Sequence, residues 1–348
     1  MSATGTAAAG LRARRRGAAG RPALKGILDP VRPSLEAVSA CLLEELTDPL
    51  AQRVVYLITA GGKRLRPALV LLAGHAARPA EPGGVVRAAA AVELIHTATL
   101  IHDDIIDVSA VRRQQPTFHA RWGTERAVLT GDYLYATAFA MLGRLGDPVV
   151  TAWMADVCRE LSVGELREVE ARYRLDLSEA EYLAIIREKT ASLIGACCQI
   201  GARLGGFPEE AVRRFGDFGV QFGLAFQIVD DCLDLAGSAR ELGKSIHADL
   251  DKGVVSLPII YLLEGRRGAA RRRLFAPVER AAARGRDVDG ATLARIAGAA
   301  RDTGAIERAY GRARACAEDA RSALAGVALN GVEETYHQLT AYAVSRRS

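Results

Sequence analysis

From about Pro30 onward the apolar positions recur at three- and four-residue intervals, the period of an α-helix with one buried face. Residues 31–47 show it plainly, with Leu35, Val38, Cys41, Leu42 and Leu46 falling on one side. Runs of alternating Val, Ile and Thr bounded by turns, the mark of strands, are scarce. The helical pattern breaks at Gly61-Gly62, Pro79 to Gly84, Gly146-Asp147-Pro148, Gly205 to Pro208 and Gly237 to Gly243. That spacing predicts roughly ten or more helices joined by short connections. No internal break has the composition of a linker, so residues 29–348 read as one all-α domain. The stretch from about Arg266 to Ser348 is amphipathic and rich in Ala and Arg, with no evident chemistry.

Composition narrows the class. The 348 residues are 49% hydrophobic and 25% charged, as in ordinary globular proteins, and long enough to bury a large core. The net charge of +5 is spread over many segments. Nucleic-acid binding calls for a concentrated basic face with interleaved aromatics; only 5% of residues are aromatic and no such face is evident. Small anionic ligands fit better. The six cysteines form no CxxC pair and predict buried thiols in a reducing, cytoplasmic setting rather than a disulfide framework. No apolar run reads as a bilayer-spanning segment. Residues 1–28 lack Asp and Glu, carry the run Arg14-Arg15-Arg16, and are expected to form a disordered tail.

Two acidic arrays carry the chemistry. Asp103-Asp104-Ile105-Ile106-Asp107 ends a largely apolar helical run, and Asp230-Asp231-Cys232-Leu233-Asp234 repeats the DDxxD spacing after a second one. On a helix the first and last carboxylates lie one turn apart on one face. Such neighbours repel, and a hard cation relieves the repulsion; Mg²⁺ is held by one or two carboxylates plus substrate phosphates. Two facing arrays are therefore suited to clamp a diphosphate through several Mg²⁺ ions. Gly61-Gly62-Lys63-Arg64-Leu65-Arg66-Pro67 places Lys63 and Arg66 at a helix start, where backbone N–H groups also favour anions. Arg112 and Arg113 follow the first array and offer forked donors to phosphate oxygens. The pattern predicts two anions side by side, one bound through metal and one through bases alone.

Taken together, GGKRLRP, HDDIIDVSAVRR, GDYLYA, KTASL, FQIVDDCLD and GKSIHADLDKGVVSLP resemble the trans-isoprenyl diphosphate synthases in order and spacing over roughly residues 30 to 340. The resemblance implies an isoprenoid synthase-like, single-domain helical bundle around a central cavity. It implies a homodimeric, Mg²⁺-dependent prenyltransferase that elongates an allylic diphosphate by head-to-tail addition of isopentenyl diphosphate. By position, Asp103, Asp104, Asp107, Asp230, Asp231 and Asp234 would hold three Mg²⁺ ions on the allylic diphosphate. Arg112, Lys189 and Lys244 would touch the same diphosphate. Lys63, Arg66, His96 and Arg113 would hold isopentenyl diphosphate, and Thr190 and Gln227 would face the reacting carbons. Product release near a membrane is a further implication.

The chain departs from the family pattern at two places. Val108-Ser109-Ala110 and Gln114 replace an acidic residue after the first array and a glycine after the arginine pair. Gly253-Val254 replaces the usual Gly-Lys, with Lys252 one step before the glycine. One basic contact to the leaving diphosphate is therefore expected to be missing or displaced. Product length is read from the helix carrying the first array. Thr99 and Ala98, about one turn deeper than Asp103, are small, and Ile95 beyond them is not aromatic. An open floor there predicts a long product of about C30–C40, as do the words ELIHTATLIHDDIID and GKSIHADLDKG; Tyr133, Thr137 or Met141 on a facing helix are the other candidates for closing the tunnel. The alternatives are a C20 synthase, a subunit of a heteromeric synthase and a terpene cyclase. The last normally lacks GGKxxR and carries a different second metal site.

Overall fold

The structure, a computed structural model, describes residues 23–48, 52–59, 62–77, 82–112, 114–236, 248–285 and 288–346. They form helices almost throughout. The chain opens with α1 (Leu24–Ile27), α2 (Arg32–Glu45) and α3 (Gln52–Thr59), and continues with α4 (Leu65–Ala77) and the long α5 (Pro82–Ile106). A two-residue hairpin, β1 (Val111–Arg112) and β2 (Gln115–Pro116), then leads to α6 (Phe118–Trp122), α7 (Thr124–Gly143) and α8 (Pro148–Glu170). Next come α9 (Glu179–Ile186), a π-helical turn (Arg187–Ala191), α10 (Ser192–Gly205) and α11 (Glu209–Ala236). The remainder is α12 (Ala248–Asp251), α13 (Leu257–Glu264), α14 (Gly268–Ala283), α15 (Gly290–Asp302), α16 (Ala305–Ala323) and α17 (Glu333–Ser345).

Apolar stripes build two adjoining cores. Leu69 of α4, Ile95 of α5, Leu134 of α7 and Ile200 of α10 are fully buried in the first. Ile186, Ile228, Ile260 and Ile296, from α9, α11, α13 and α15, anchor the second. The close approach of α11 to α10 depends on Gly219, where a Cβ would stand 2.6 Å from the Ile194 carbonyl oxygen. This packing brings the last turns of α11 beside the π-turn.

The break expected at Pro79 to Gly84 falls earlier, because α5 begins at Pro82 and takes Gly83 and Gly84 into its first turn. Proline at a first helical position costs no hydrogen bond. The breaks at Gly146 to Pro148 and Gly205 to Pro208 stand; Asp147 caps α8 by accepting from the Val149 amide at 3.0 Å. The 237–243 break lies outside the described residues. Of the expected tail, residues 24–27 form α1, whose Leu24 and Ile27 are buried, while residues 1–22 lie outside the described residues. Among the described residues one helix, α5, is long and apolar enough to cross a membrane, contrary to the reading that no run qualifies. Its apolar residues are instead spent in the bundle core. All six cysteines are free thiols.

Candidate active site

The C-terminus of α5 shapes the first array. The Ser109 amide donates to the Asp104 carbonyl at 2.9 Å and the Val108 amide to that of Ile105 at 3.1 Å. This pair of bonds is a Schellman motif with Asp107 as C-cap and Val108 in the left-handed position at φ 51°. The last turn is thereby fixed and its three carboxylates have different surroundings. Burial first, then the facing Glu165, pushes the Asp103 carboxyl up to about 7. Asp104 is buried and accepts from Arg112 Nε at 2.8 Å. Asp107 accepts from Arg172 at 2.9 Å on Oδ1 and from Lys252 Nζ at 3.0 Å on Oδ2.

The second array ends α11. Buried Asp231 accepts from Tyr182 Oη at 2.6 Å and from Gln227 Nε2 at 2.7 Å. Burial and Asp249 push its carboxyl well above the usual range. Gln227 in turn accepts at 3.1 Å from Thr190 Oγ1 on the π-turn, so a hydroxyl, an amide and a carboxylate form one chain. Asp234 accepts from the Asp249 amide at 3.3 Å, and Asp230 pairs with Arg346. The neighbouring Lys189 bridges Glu165, at 2.7 Å, and Glu168. Against its burial, those two carboxylates hold its ammonium above the usual lysine value. π-Turns inside helices are frequent at functional sites; this one bears Lys189 and Thr190.

The basic stretch meets the same region. Arg66 lies 3.0 Å from His96 Nε2, its Nε is buried without a hydrogen-bond partner, and it feels both Asp103 and Asp230. Lys63 Nζ stands 5.1 Å above the Phe226 ring, and the Arg346 guanidinium stacks on that ring at 3.7 Å. A cavity of about 130 Å³ is lined by Asp107, Asp231, Lys189, Thr190, Gln227 and Lys252, among others.

The donor chemistry fits divalent cations. Asp103 and Asp231 are carboxyls held in protein interior with too little positive charge to ionise readily, the condition a hard cation corrects. Among the described residues no three ligating side chains converge on one point. Mg²⁺ does not require that, since phosphate oxygens and waters complete its shell. Arg66, with an orphaned donor beside His96, fits an anion held without metal.

Of the sequence-predicted residues, Asp107, Lys189, Thr190, Gln227 and Asp231 line one cavity. Arg112 and Lys189 are engaged by carboxylates of this chain rather than held open. Ile95 and Ala98 are fully buried in the first core and Thr99 is partly buried; none of the three lines the cavity. Arg113 and Lys244 lie outside the described residues. Sequence reasoning missed Arg172, Tyr182, Glu165, Glu168 and Arg346. No spacing marks them, and Arg346 belongs to the tail stretch read as free of chemistry.

Comparison with known proteins shows the family. Residues 47–292 match the polyprenyl synthetase family model. Heptaprenyl diphosphate synthase component 2 of Geobacillus stearothermophilus is 38% identical over 294 residues, covering 84% of this chain and 89% of that protein. The crystal structure of a decaprenyl diphosphate synthase from Rhodobacter capsulatus superposes with a TM-score of 0.86 at 33% identity, covering 94% of this chain and 100% of that one. A polyprenyl synthase from Caulobacter crescentus, complexed with calcium and isoprenyl diphosphate, gives 0.87 at 32% identity, covering 94% and 99%. The matched region holds both acidic arrays, and we conclude that this chain belongs to the polyprenyl synthetase family and is a prenyltransferase.

Proposed function

We propose that the chain lengthens an allylic diphosphate by repeated addition of isopentenyl diphosphate, to a product of about C30–C40, with Mg²⁺ held by the two aspartate arrays. The observation that carries the reading is a single cavity lined by Asp107 of the first array and buried Asp231 of the second together with Lys189, Thr190 and Gln227. Bound Mg²⁺ would be held by Asp103, Asp104, Asp107, Asp230, Asp231 and Asp234, and supplies charge stabilisation to the departing diphosphate.

The remaining tasks fall to the chain itself. Arg112, paired with Asp104 of the first array, and Lys189, paired with Glu165 and Glu168, neutralise charge on the allylic diphosphate. Lys63, Arg66 and His96 hold the second diphosphate, with the orphaned Arg66 Nε as a ready donor. The Thr190–Gln227–Asp231 chain fixes the amide carbonyl, whose dipole stabilises the allylic cation after the C–O bond breaks. The isopentenyl double bond attacks that cation, and the diphosphate oxygen released in the first step removes the proton that restores the alkene. No protein nucleophile is needed, and enclosure by apolar helices keeps water from the cation.

Long product length is supported by the long-chain synthases among the similar proteins. Ala98→Phe should shorten the product by at least one C5 unit; an unchanged length would remove this position from the floor. A homodimer is supported by Val128, Leu129 and Tyr133, which α7 leaves exposed.

The deciding experiment incubates purified protein with Mg²⁺, labelled isopentenyl diphosphate and C5, C10, C15 or C20 allylic primers, then sizes the products. Products of C30 or longer are expected. A C20 product would keep the reaction and overturn the length. Because two of the relatives are named as component 2 of their enzyme, the alternative is that this chain needs a partner, and absence of product from every primer in folded protein would favour it.

A further inference from the structure

Two of the stretches that depart from the family pattern, 108–110 and 252–254, touch each other. Lys252 Nζ, besides its bond to Asp107 Oδ2, lies 3.0 Å from Ser109 Oγ. Lys252 precedes the turn glycine that Val254 follows, and Ser109 lies within Val108-Ser109-Ala110, the stretch that carries no acidic residue. An acidic side chain at 109 would hold the ammonium firmly as a second counter-ion; a serine hydroxyl holds it by one uncharged bond.

The lysine is delivered by a rigid device. The Tyr173 amide donates to the Gly253 carbonyl at 2.6 Å and the Tyr173 hydroxyl to the Asp251 carbonyl at 3.3 Å. Gly253 sits at φ +82°, and a Cβ there would lie 2.6 Å from the Tyr173 ring, so only glycine fits. Tyr173 itself is left-handed at φ 62°. The turn bearing Arg172 and the turn bearing Lys252 are thus locked together and present one cation to each oxygen of Asp107. Arg172 is the deeper anchor, with a buried Nε. Lys252 is the exchangeable one: a compact ammonium on a flexible stem, lining the cavity beside Lys189 and Asp231.

We propose that Lys252 is a displaceable counter-ion of the first array, competing with a divalent cation for Asp107 Oδ2 and, once displaced, donating to a diphosphate oxygen in the adjoining cavity. The inference rests on the reading of the arrays as a metal–diphosphate clamp. It supplies, from one residue upstream, the basic contact that Val254 cannot make. It also couples the two ligands: diphosphate rewards the lysine for leaving the carboxylate that the metal needs.

The test measures binding, not turnover, with Mn²⁺ and inorganic diphosphate as probes on the parent protein, Lys252→Met and Lys252→Arg. Without diphosphate, Lys252→Met should bind Mn²⁺ about tenfold more tightly, the competing cation having been removed. With saturating Mn²⁺ it should bind diphosphate about tenfold more weakly, roughly the worth of one charge-assisted hydrogen bond. Lys252→Arg should lie near the parent in both. Shifts in these opposite directions support the proposal. Unchanged affinities, or a weakening of both as a purely structural tie would give, overturn it. Failure of the parent itself to bind diphosphate with Mn²⁺ would instead refute the clamp reading underneath. Should the methionine variant not fold, Lys252→Gln, which keeps a donor for Ser109, replaces it with the same expected directions.

Discussion

Val108 is a β-branched residue in a left-handed conformation, at φ 51°, with 82% of its surface exposed. Its side chain buries almost nothing, so its contribution to stability is dominated by backbone strain. The left-handed region costs an L-residue about 1–2 kcal/mol, and branching at Cβ adds to it. Asparagine tolerates this position, so Val108→Asn should stabilise by about 1 kcal/mol. Val108→Gly relieves the same strain but loses about 0.5–1 kcal/mol to added freedom of the unfolded chain, leaving a smaller gain. For a chain of 348 residues, unfolding entropy near 2.1 cal/mol/K per residue converts 1 kcal/mol into about 1–2 °C of Tm. Calorimetry and urea midpoints on EDTA-treated protein would read both shifts. The Asp104–Ser109 and Ile105–Val108 backbone bonds are kept in either variant, so prenyl transfer should stay within about twofold, the change expected when no ligand moves. Unchanged or lowered midpoints in both variants would refute the claim that this position is strained.

Three further outcomes follow from single contacts. The Asp103 carboxyl, raised from its ordinary 3.8 to about 7, contributes stability that is complete below about pH 4 and lost as pH rises to about 7; the full shift would be worth ~4 kcal/mol, less after solvent screening. Asp103→Asn in EDTA-treated protein should therefore gain on the parent across that window, and a pH-independent difference would contradict the assignment. Tyr182→Phe removes the 2.6 Å donor to buried Asp231 and should lower stability by ~2 kcal/mol, about 3 °C, measured by thermal unfolding; no change would mean that the carboxyl finds another donor. Gly219→Ala sets a Cβ against backbone rather than a movable side chain and should cost ~3 kcal/mol, read as a lowered urea midpoint, whereas a tolerated alanine would show that α10 and α11 can separate.

What the sequence determined is what repeats along it. The helical period gave the all-α class because burial of one face needs apolar residues every third or fourth position. Spacing exposed the two arrays because carboxylates one turn apart share a face wherever the helix goes. Gly62 to Pro67 was legible for the same local reason, whereas Lys189 and Thr190 were marked only by the resemblance of the whole pattern. The tertiary structure decided which charges meet. Asp107 takes its cations from residues 65 and 145 positions away, Arg172 and Lys252, and Asp230 takes Arg346 from 116 away. Asp103 becomes a weak acid only because folding buries it opposite Glu165. Such pairings leave no periodicity, since an ion pair constrains two side chains in space and nothing of the sequence between them. The small residues below Asp103 were readable as small; that Ala98 is fully buried in the first core was decided by how the helices pack, which no single helix encodes.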